Sequence, residues 1–279
     1  MNYKTILVHI DDDKELDQRA NIAAQITQSH HAHLIGLAVT GVSRYFFSGD
    51  DPSIVAPYYA QYADALQTRA QLAIARFEKN MVGQTELSYE IQFAQDEICG
   101  GMGLRARYAD LIIIGQTNPN LASLATASDF PESIILQSGR PVLLIPHSRS
   151  VTRFGKNAVV AWDGSREAAR AALDALPLLK KCTTVHLLII NPNEQAETHG
   201  EEPGADFALF LARHDIKVEI EIRYTQTIIG NAILQACQEL SADLLVMGAY
   251  GHSRFREMLM GGVSKTILTK MNLPVLMAH

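Results

Sequence analysis

Two stretches of the sequence decide its fold: KTILVHID at residues 4–11 and KNAVVAWD at residues 156–163. Each is a short run of mostly apolar residues that ends in an aspartate, which is typical of a buried strand followed by a turn. The second stretch begins 152 residues after the first. Self-similarity over such a distance predicts two copies of one domain.

Two further repeats refine this division. ADLIIIG at residues 109–115 returns as ADLLVMG at 242–248, and PVLL at 141–144 returns as PVLM at 274–277, both 133 residues later. The two offsets, 152 and 133, differ by 19, so the first half carries an insertion. We assign it to about residues 41–62, which include the aromatic segment from Tyr45 to Tyr62. The sequence thus predicts domains at residues 1–148 and 149–279.

Short apolar runs alternate with helical patterns in both halves, which predicts an α/β fold with two consecutive doubly wound domains and five-stranded parallel sheets. In the second half we predict strands near 157–162, 184–190, 217–223, 243–248 and 274–278. Helices are predicted near 165–180, 204–214, 229–240 and 262–271. Ligands of such sheets bind beyond the carboxyl ends of the strands.

Composition narrows the classes of partner. The chain has 279 residues and a formal net charge of −6, which argues against a nucleic-acid binder because such binding depends on clustered Lys and Arg. Its three cysteines suggest neither a disulfide framework nor a zinc site. The sequence has no signal-peptide pattern and no apolar run near the ~20 residues of a membrane span. These features favour a soluble, cytoplasmic protein with no membrane partner.

A glycine-rich loop, GAYGHSRFREMLMGGVS at residues 248–264, follows the predicted fourth strand of the second half. Gly248 and Gly251 permit a positive φ and a close approach of the backbone. Gly261 and Gly262 are predicted to open a helix, whose free N–H groups and partial positive charge suit an anion such as phosphate. Ser264 can add a hydroxyl donor. The alternative is that these glycines are only turn residues in a long loop.

The repeat favours the phosphate interpretation in one half only. The offset of 133 residues places Asn118, Ser128, Asp129 and Pro131 opposite Gly251, Gly261, Gly262 and Ser264. The first half then has a carboxylate where a phosphate would lie, and proline removes one N–H donor. We therefore predict a degenerate loop in the first half. In the second half, His252, Ser253 and Arg254 are expected along the outer edge of the loop.

Asp163 ends the first strand of the second half, within the segment WDGS at residues 162–165. Its carboxylate is placed to accept a hydrogen bond from a base amine or a ribose hydroxyl, as acidic residues do in other doubly wound nucleotide sites. Alternatively, Asp163 or Ser165 is only the N-cap of the helix that follows. Both roles are compatible, and the sequence does not choose between them.

The G-x2-G-x9-G loop after a fourth strand, the aspartate at the end of the first strand and the closing PVL strand resemble the universal stress protein family. The resemblance covers nearly the whole chain as two consecutive family domains. It implies a Rossmann-like fold of the adenine nucleotide alpha hydrolase type and antiparallel pairing of the two closing strands, so that the chain forms an intramolecular pseudo-dimer. It also implies nucleotide-binding roles for Ala161, Trp162, Asp163, Ile190, Met247, Gly248, Gly251, Gly261, Gly262, Val263 and Ser264. Gly262 departs from the family pattern, which has Ser or Thr there.

The resemblance implies a stress-response or signalling protein that binds adenine nucleotide, namely ATP, ADP or AMP, with or without Mg²⁺, and that turns over little or none of it. One alternative is a slow ATPase or adenylyl-transfer enzyme that uses the same site. Another is a module in which the first-half insertion binds an apolar ligand or a partner. No catalytic residue and no metal ligand is assigned, and His252 is the only nearby candidate for a general base. The protein partner and any homodimer remain open.

Overall fold

The computed structural model describes residues 2–40, 52–84, 86–117, 129–151, 153–195, 202–251 and 262–279. The chain divides into two compact units, which meet in sequence between Arg140 and Pro141. In each unit, parallel strands are joined by helices in their crossover connections, as predicted.

The first unit contains four parallel strands in the order β3-β2-β1-β4. Its elements are β1 (Thr5–Ile10), α1 (Leu16–His30), β2 (His33–Val39), α2 (Pro52–Met81), β3 (Ser88–Ala94), α3 (Ile98–Ala106), β4 (Leu111–Gly115) and α4 (Phe130–Ser138).

The second unit contains five parallel strands in the order β10-β9-β6-β7-β8, and β5 joins β10 at the edge. Its elements are β5 (Val142–Ile145), β6 (Asn157–Ala161), α5 (Arg166–Leu179), β7 (Thr184–Ile190), a 3₁₀ turn (Pro192–Gln195), α6 (Ala205–Arg213), β8 (Val218–Arg223), α7 (Ile229–Glu239), β9 (Leu244–Gly248), α8 (Val263–Lys270) and β10 (Val275–Ala278).

The predicted strands and helices of the second half are confirmed, each within about two residues of its predicted ends. The reason is that the central strands are apolar on both faces: Leu244, Leu245 and Val246 of β9 are all fully buried. Such a strand requires cover on both sides of the sheet. One cover is α5, which packs on β9 and β10 through its buried alanine face.

The closing strands pair antiparallel, as the resemblance implied, with Val142 opposite Met277 and Leu144 opposite Val275. This pairing covers the edge of β10, which would otherwise present unpaired N–H and C=O groups. Because β5 belongs to the second compact unit, the units divide eight residues before the predicted boundary at residue 148. The first unit accordingly keeps four of the five strands predicted for the first half.

The predicted insertion at residues 41–62 lies partly outside the described residues, which resume at Pro52. From there the insertion continues as part of α2, a helix of 30 residues. Leu66, Ala73 and Phe77 lie on one face of α2 and are buried. Arg76, on the same helix, donates hydrogen bonds to the Asp17 carboxylate of α1 and to the carbonyl oxygen of Asp13. The part of α2 that follows the predicted insertion is thus packed against the turn after β1.

Across the described ranges, no helix combines the length and the apolar composition that crossing a membrane requires.

Candidate functional site

A series of hydrogen bonds stabilises the turn between β6 and α5. The backbone N–H of Trp162 donates to the carbonyl of Leu188 on β7, at 2.9 Å. Asp163 Oδ1 accepts from the N–H of Ser165 at 3.0 Å and from its hydroxyl at 2.6 Å. Ser165 Oγ in turn accepts from the N–H of Ala168 at 3.1 Å and so caps α5. Ser165 is therefore the N-cap, and Asp163 orients its hydroxyl.

The two glycines that begin the loop are explained by close packing. A Cβ atom on Gly248 would lie 2.5 Å from the backbone nitrogen of Ala168, and one on Gly251 would lie 2.6 Å from Glu167 Oε2. Neither glycine has a positive φ; the residue between them that does is Tyr250, at +58°. Close approach of the backbone of α5 thus requires glycine at residue 248, whereas the atoms near Gly251 belong to the end of the flexible Glu167 side chain.

The predicted helix after the glycine loop is confirmed: α8 begins at Val263, with Gly262 as its N-cap. Ser264 lies in the first turn and is buried. Its Oγ accepts the N–H of Tyr250 at 3.2 Å. Ser264 therefore ties the start of α8 to the glycine loop, a structural role that sequence reasoning did not predict.

These segments enclose a cavity of about 150 Å³ at the carboxyl ends of β6, β7 and β9. Nine of the predicted site residues line it: Ala161, Trp162, Asp163, Ile190, Met247, Gly248, Gly251, Val263 and Ser264. Gly262 is described but does not line the cavity. The predicted residues His252, Ser253 and Gly261, and likewise Arg254, lie outside the described residues.

Sequence reasoning missed seven lining residues: Ser165, Glu167, Ala168, Leu188, Ile229, Ile233 and Tyr250. Two sequence patterns could have identified three of these seven residues. Leu188 lies two residues before Ile190 on β7 and so shares its face. Ile229 and Ile233 are four residues apart in the first turns of α7, the helix that follows β8. No comparable signal marks Glu167.

Glu167 brings a buried carboxylate to the cavity. Its side chain is 5% exposed, and Oε1 accepts from Arg166 Nε at 2.6 Å, whereas the Arg166 side chain is 89% exposed. Burial acts to raise the pKa of Glu167, but the hydrogen bond from Arg166 and a backbone hydrogen bond outweigh it and hold the pKa below the ordinary glutamate value. Among the lining residues that the structure describes, the charged side chains are Asp163 and Glu167, both acidic.

An aromatic stack stands beside the cavity. The ring of Trp162 lies on that of Phe207 of α6, with centroids 3.8 Å apart and an angle of 8° between the planes. Phe207 in turn contacts Phe210 on the next turn of the same helix. The stack fixes the ring of Trp162, a residue that lines the cavity, against α6.

A buried arginine lies at the carboxyl edge of the sheet of the first unit. Arg19 of α1 is fully buried, and it donates from Nε to the carbonyl of His9 at 2.9 Å and from Nη2 to Asp11 Oδ1 at 2.5 Å. Although burial opposes ionisation, Arg19 and His9 hold the pKa of Asp11 well below its ordinary value. By the repeat, Asp11 corresponds to Asp163, and Arg19 corresponds to the buried Ala171.

Asp129 and Pro131 stand at the start of α4, where the degenerate loop was predicted to end. Asn118 and Ser128, the other two residues of that comparison, lie outside the described residues. The buried arginine at the sheet edge of the first unit was not predicted from the sequence.

Comparison with known proteins gives three findings. Residues 155–279 match the Universal stress protein family. A universal stress protein of Synechocystis sp. is 27% identical over 155 residues, which are 52% of this chain and 49% of that protein, so the match spans about half of its length. The crystal structure of a universal stress protein from Archaeoglobus fulgidus has a TM-score of 0.73 at 18% identity, covering 98% of this chain and 95% of that chain.

A protein of unknown function from Pseudomonas aeruginosa has a TM-score of 0.61, again at 18% identity, covering 99% of this chain and 92% of that chain. At these identities, both solved structures bear on the fold alone.

Proposed function

Residues 155–279 carry a domain of the universal stress protein family, to which the chain therefore belongs, and from this premise we propose that the second unit binds adenine nucleotide, ATP foremost. The protein then acts as a stress-response or signalling protein whose nucleotide occupancy, with little or no turnover, biases its conformation or its choice of partner.

One observation carries the proposal: the cavity at the carboxyl ends of β6, β7 and β9 gathers nine residues that the sequence had assigned to a nucleotide site. In open α/β sheets this edge is where ligands bind. A cavity lined by apolar residues with a few convergent polar groups is also the usual form of a small-molecule site.

The apolar part of the lining suits a purine. Leu188, Ile190, Ile229, Ile233 and Met247 supply aliphatic surface from two strands and from α7. Asp163 supplies a carboxylate at the end of β6, suited to accept from a base amine or a ribose hydroxyl. Its Oδ1 is already oriented by Ser165, which holds the carboxylate in place for a ligand.

The start of α8 suits the phosphates. The first N–H groups of a helix have no partner within the helix and carry a partial positive charge. Val263 and Ser264, in the first turn of α8, line the cavity together with Gly248 and Gly251. In the first unit, by contrast, the cavity beyond the ends of β1 and β2 measures only about 20 Å³ and Asp129 precedes the helix, so we propose one nucleotide per chain.

The test is direct. Protein purified without added nucleotide is denatured, and any released small molecule is identified by mass spectrometry. Stripped protein is then titrated with ATP by calorimetry. We expect adenine nucleotide in the released fraction and one binding event per chain. Two events per chain, or the absence of binding by a folded protein, contradicts the proposal.

A pair of matched variants locates the site. Asp163→Asn keeps an Oδ1 acceptor for Ser165 but loses the charge, and we expect ATP affinity to fall about tenfold, the equivalent of one lost charge-assisted hydrogen bond. Asp174→Asn, on the helix α5 that follows, removes a carboxylate that pairs with Arg170 away from the cavity. It should leave affinity unchanged. Phosphate release measured in the same samples with Mg²⁺ tests the alternative of a slow ATPase.

A further inference from the structure

The sheet of the second unit ends in a strand with an open edge. β8 is the last strand of the order β10-β9-β6-β7-β8, and within the described part of the chain no strand pairs with its outer side. On the inner side, the carbonyl oxygen of Arg223 accepts the N–H of Asn191 at 2.9 Å. Because main-chain groups alternate in direction along a strand, Ile220 and Ile222 direct their N–H and C=O groups outward. Such an edge can accept a strand from another chain.

Apolar side chains lie exposed on one face of this edge. Ile220 is 42% exposed, Ile222 is 43% exposed and Tyr224, just beyond β8, is 68% exposed. In the sheet, Ile222 stands beside the buried Ile189. The helix α6 packs on β8 but leaves these side chains accessible. Single exposed apolar residues are ordinary, whereas a row of them on an unpaired strand is typical of an interaction surface.

The other face of β8 carries charges of both signs. Glu219, Glu221 and Arg223 alternate with the apolar residues along the strand. Lys217 Nζ lies 3.9 Å from Glu219 Oε1, and Arg223 donates to Glu239 of α7. A guanidinium has several N–H donors, so Arg223 can also donate to a carboxylate across the edge. The strand therefore presents a negative and a positive residue that a reversed copy of the strand would complement.

Most antiparallel registers of β8 with a second copy of itself bring like charges together. A two-fold axis at Glu219, Glu221 or Arg223 places that charged residue opposite its own copy. An axis at Ile220 places Glu219 opposite Glu221. Like charges directly opposite one another destabilise a strand pair, so these registers are disfavoured.

An axis at Ile222 has no such conflict. Glu221 of each copy then lies opposite Arg223 of the other, which gives two pairs of opposite charge. Ile222 meets its own copy, and Ile220 meets Tyr224. Pairs of opposite charge and pairs of aromatic with β-branched residues both stabilise neighbouring strands. Charge and apolar patterning thus select the same register.

We propose that two copies of this chain associate through β8, paired antiparallel with the two-fold axis at Ile222. This association is separate from nucleotide binding, because β8 contributes none of the described residues that line the cavity. Failure of either proposal therefore leaves the other standing. The interface consists of one strand and its flanking helices, which is small, so we expect a dissociation constant on the order of 10 µM.

Sedimentation equilibrium of the full chain, at concentrations about tenfold below and above that constant, measures the association. We expect Glu221→Arg to weaken the dimer at least about tenfold, since both pairs of opposite charge become pairs of like charge. Glu219→Arg is the matched control, because it makes the same change of charge on the same face of β8. In the proposed register residue 219 lies opposite Thr225, so the control should stay within about threefold of the wild type.

A mixture of variants tests the charge pairing directly. Arg223→Glu is combined with Glu239→Gln, so that the new carboxylate does not meet Glu239. This variant and Glu221→Arg should each dimerise poorly alone. Mixed in equal amounts, they should form a dimer of about wild-type affinity, because every arginine at the edge then faces a glutamate.

A disulfide tests the register without changing any charge. Residues directly opposite in such a hydrogen-bonded pair have Cα atoms about 5.5 Å apart, which suits a disulfide. Ile222→Cys should therefore give a covalent dimer on mild oxidation. Ile220→Cys is the control, because the two copies of residue 220 would stand more than about 13 Å apart. The wild type, which has three cysteines of its own, is oxidised in parallel and should stay uncrosslinked.

Three results each overturn the proposal. They are a wild type that stays monomeric throughout the concentration range, a dimer that Glu219→Arg weakens as much as Glu221→Arg, and cross-linking of Ile220→Cys as fast as that of Ile222→Cys. If circular dichroism shows that a charge variant is unfolded, the two cysteine variants decide, since they keep the charges of β8.

Discussion

Nη1 of Arg19 lies 2.5 Å from the point at which a Cβ atom of Gly115 would stand. The two residues meet at the carboxyl edge of the first unit, where β4 ends and α1 passes beside β1. The guanidinium cannot withdraw easily, because His9 and Asp11 hold its other nitrogens and no part of it reaches solvent. Glycine at residue 115 is thus required by a buried side chain, whereas its counterpart Gly248 is required by the backbone of α5.

The first prediction concerns this contact. Gly115→Ala should lower the free energy of unfolding by about 1–3 kcal/mol, the usual cost of overpacking a rigid core. Urea denaturation measures the change. Gly103→Ala is the matched control, because a Cβ atom there meets nothing within 4 Å and the residue lies inside α3. The control should be neutral or stabilising by up to about 1 kcal/mol. Equal stability of Gly115→Ala and the wild type would show that Arg19 is free to move.

The second prediction concerns the buried pair of Arg19 and Asp11. Arg19→Met leaves the Asp11 carboxylate without its cation, and we expect a loss of about 3–5 kcal/mol in the free energy of unfolding. Arg19→Met combined with Asp11→Asn should recover a large part of that loss, since the uncompensated charge is then gone. A double variant no more stable than Arg19→Met would contradict a charge-based explanation.

The same pair predicts a dependence on pH. The pKa of Asp11 is lowered in the folded protein, so its contribution to stability is fully present above the pKa of the unfolded chain, about 3.9. That contribution is lost as the pH falls below this value. The stability of the wild type should therefore decline in acid more steeply than that of the variant that carries both Arg19→Met and Asp11→Asn, as measured by the urea midpoint at several pH values.

Much of the fold could be predicted because burial leaves a direct trace in the sequence. Runs such as Leu244 to Met247 are apolar without interruption, and a strand buried on both faces is the structure that such runs favour. The ends of these strands then gave the position of the site, since parallel strands bring their carboxyl ends to one edge. Ala161, Ile190 and Gly248, to which the resemblance assigned nucleotide-binding roles, lie together at this edge.

Buried charged residues could not be recognised from the sequence pattern in this way. Arg19 and Glu167 lie on helices whose neighbouring residues include polar side chains, and helical periodicity alone does not tell a buried charge from a solvated one. The repeat contained a hint, since Arg19 stands where the second half has Ala171. The sequence also did not show why the loop residues are glycines, because glycine permits a positive φ and a close approach of the backbone equally well.

The third prediction concerns Asp13, in the turn after β1. Burial, followed by the nearby charge of Asp11, raises the pKa of Asp13 to about 6. Glu15 acts in the same direction, whereas Arg19 and His9 oppose it.

A carboxyl group whose pKa is raised by folding binds its proton more tightly in the folded state, so it stabilises the fold as the pH falls from about 6 towards 4 and costs stability above 6. Asp13→Asn should therefore stabilise the protein at pH 7.5 by about 1 kcal/mol after allowance for solvent screening, and by less at pH 4.5. Urea midpoints at the two pH values measure the difference. A variant that gains more at pH 4.5 than at pH 7.5 would reverse the assigned sign.

The last prediction uses the only tryptophan of the chain, Trp162, which both lines the cavity and stacks on Phe207. Its fluorescence emission should respond to a ligand that enters the cavity, and we expect a saturable change with ATP that follows the calorimetric isotherm.

Phe207→Leu removes the stacked ring, which should cost about 1 kcal/mol of stability and shift the fluorescence emission of the free protein to longer wavelength, because the indole becomes more exposed. Phe210→Leu, one turn further along α6, contacts Phe207 but stands beyond it in the stack and should shift the emission less. If ATP binds by calorimetry yet leaves the emission of Trp162 unchanged, the nucleotide does not lie in this cavity, and the role assigned to Asp163 fails with it.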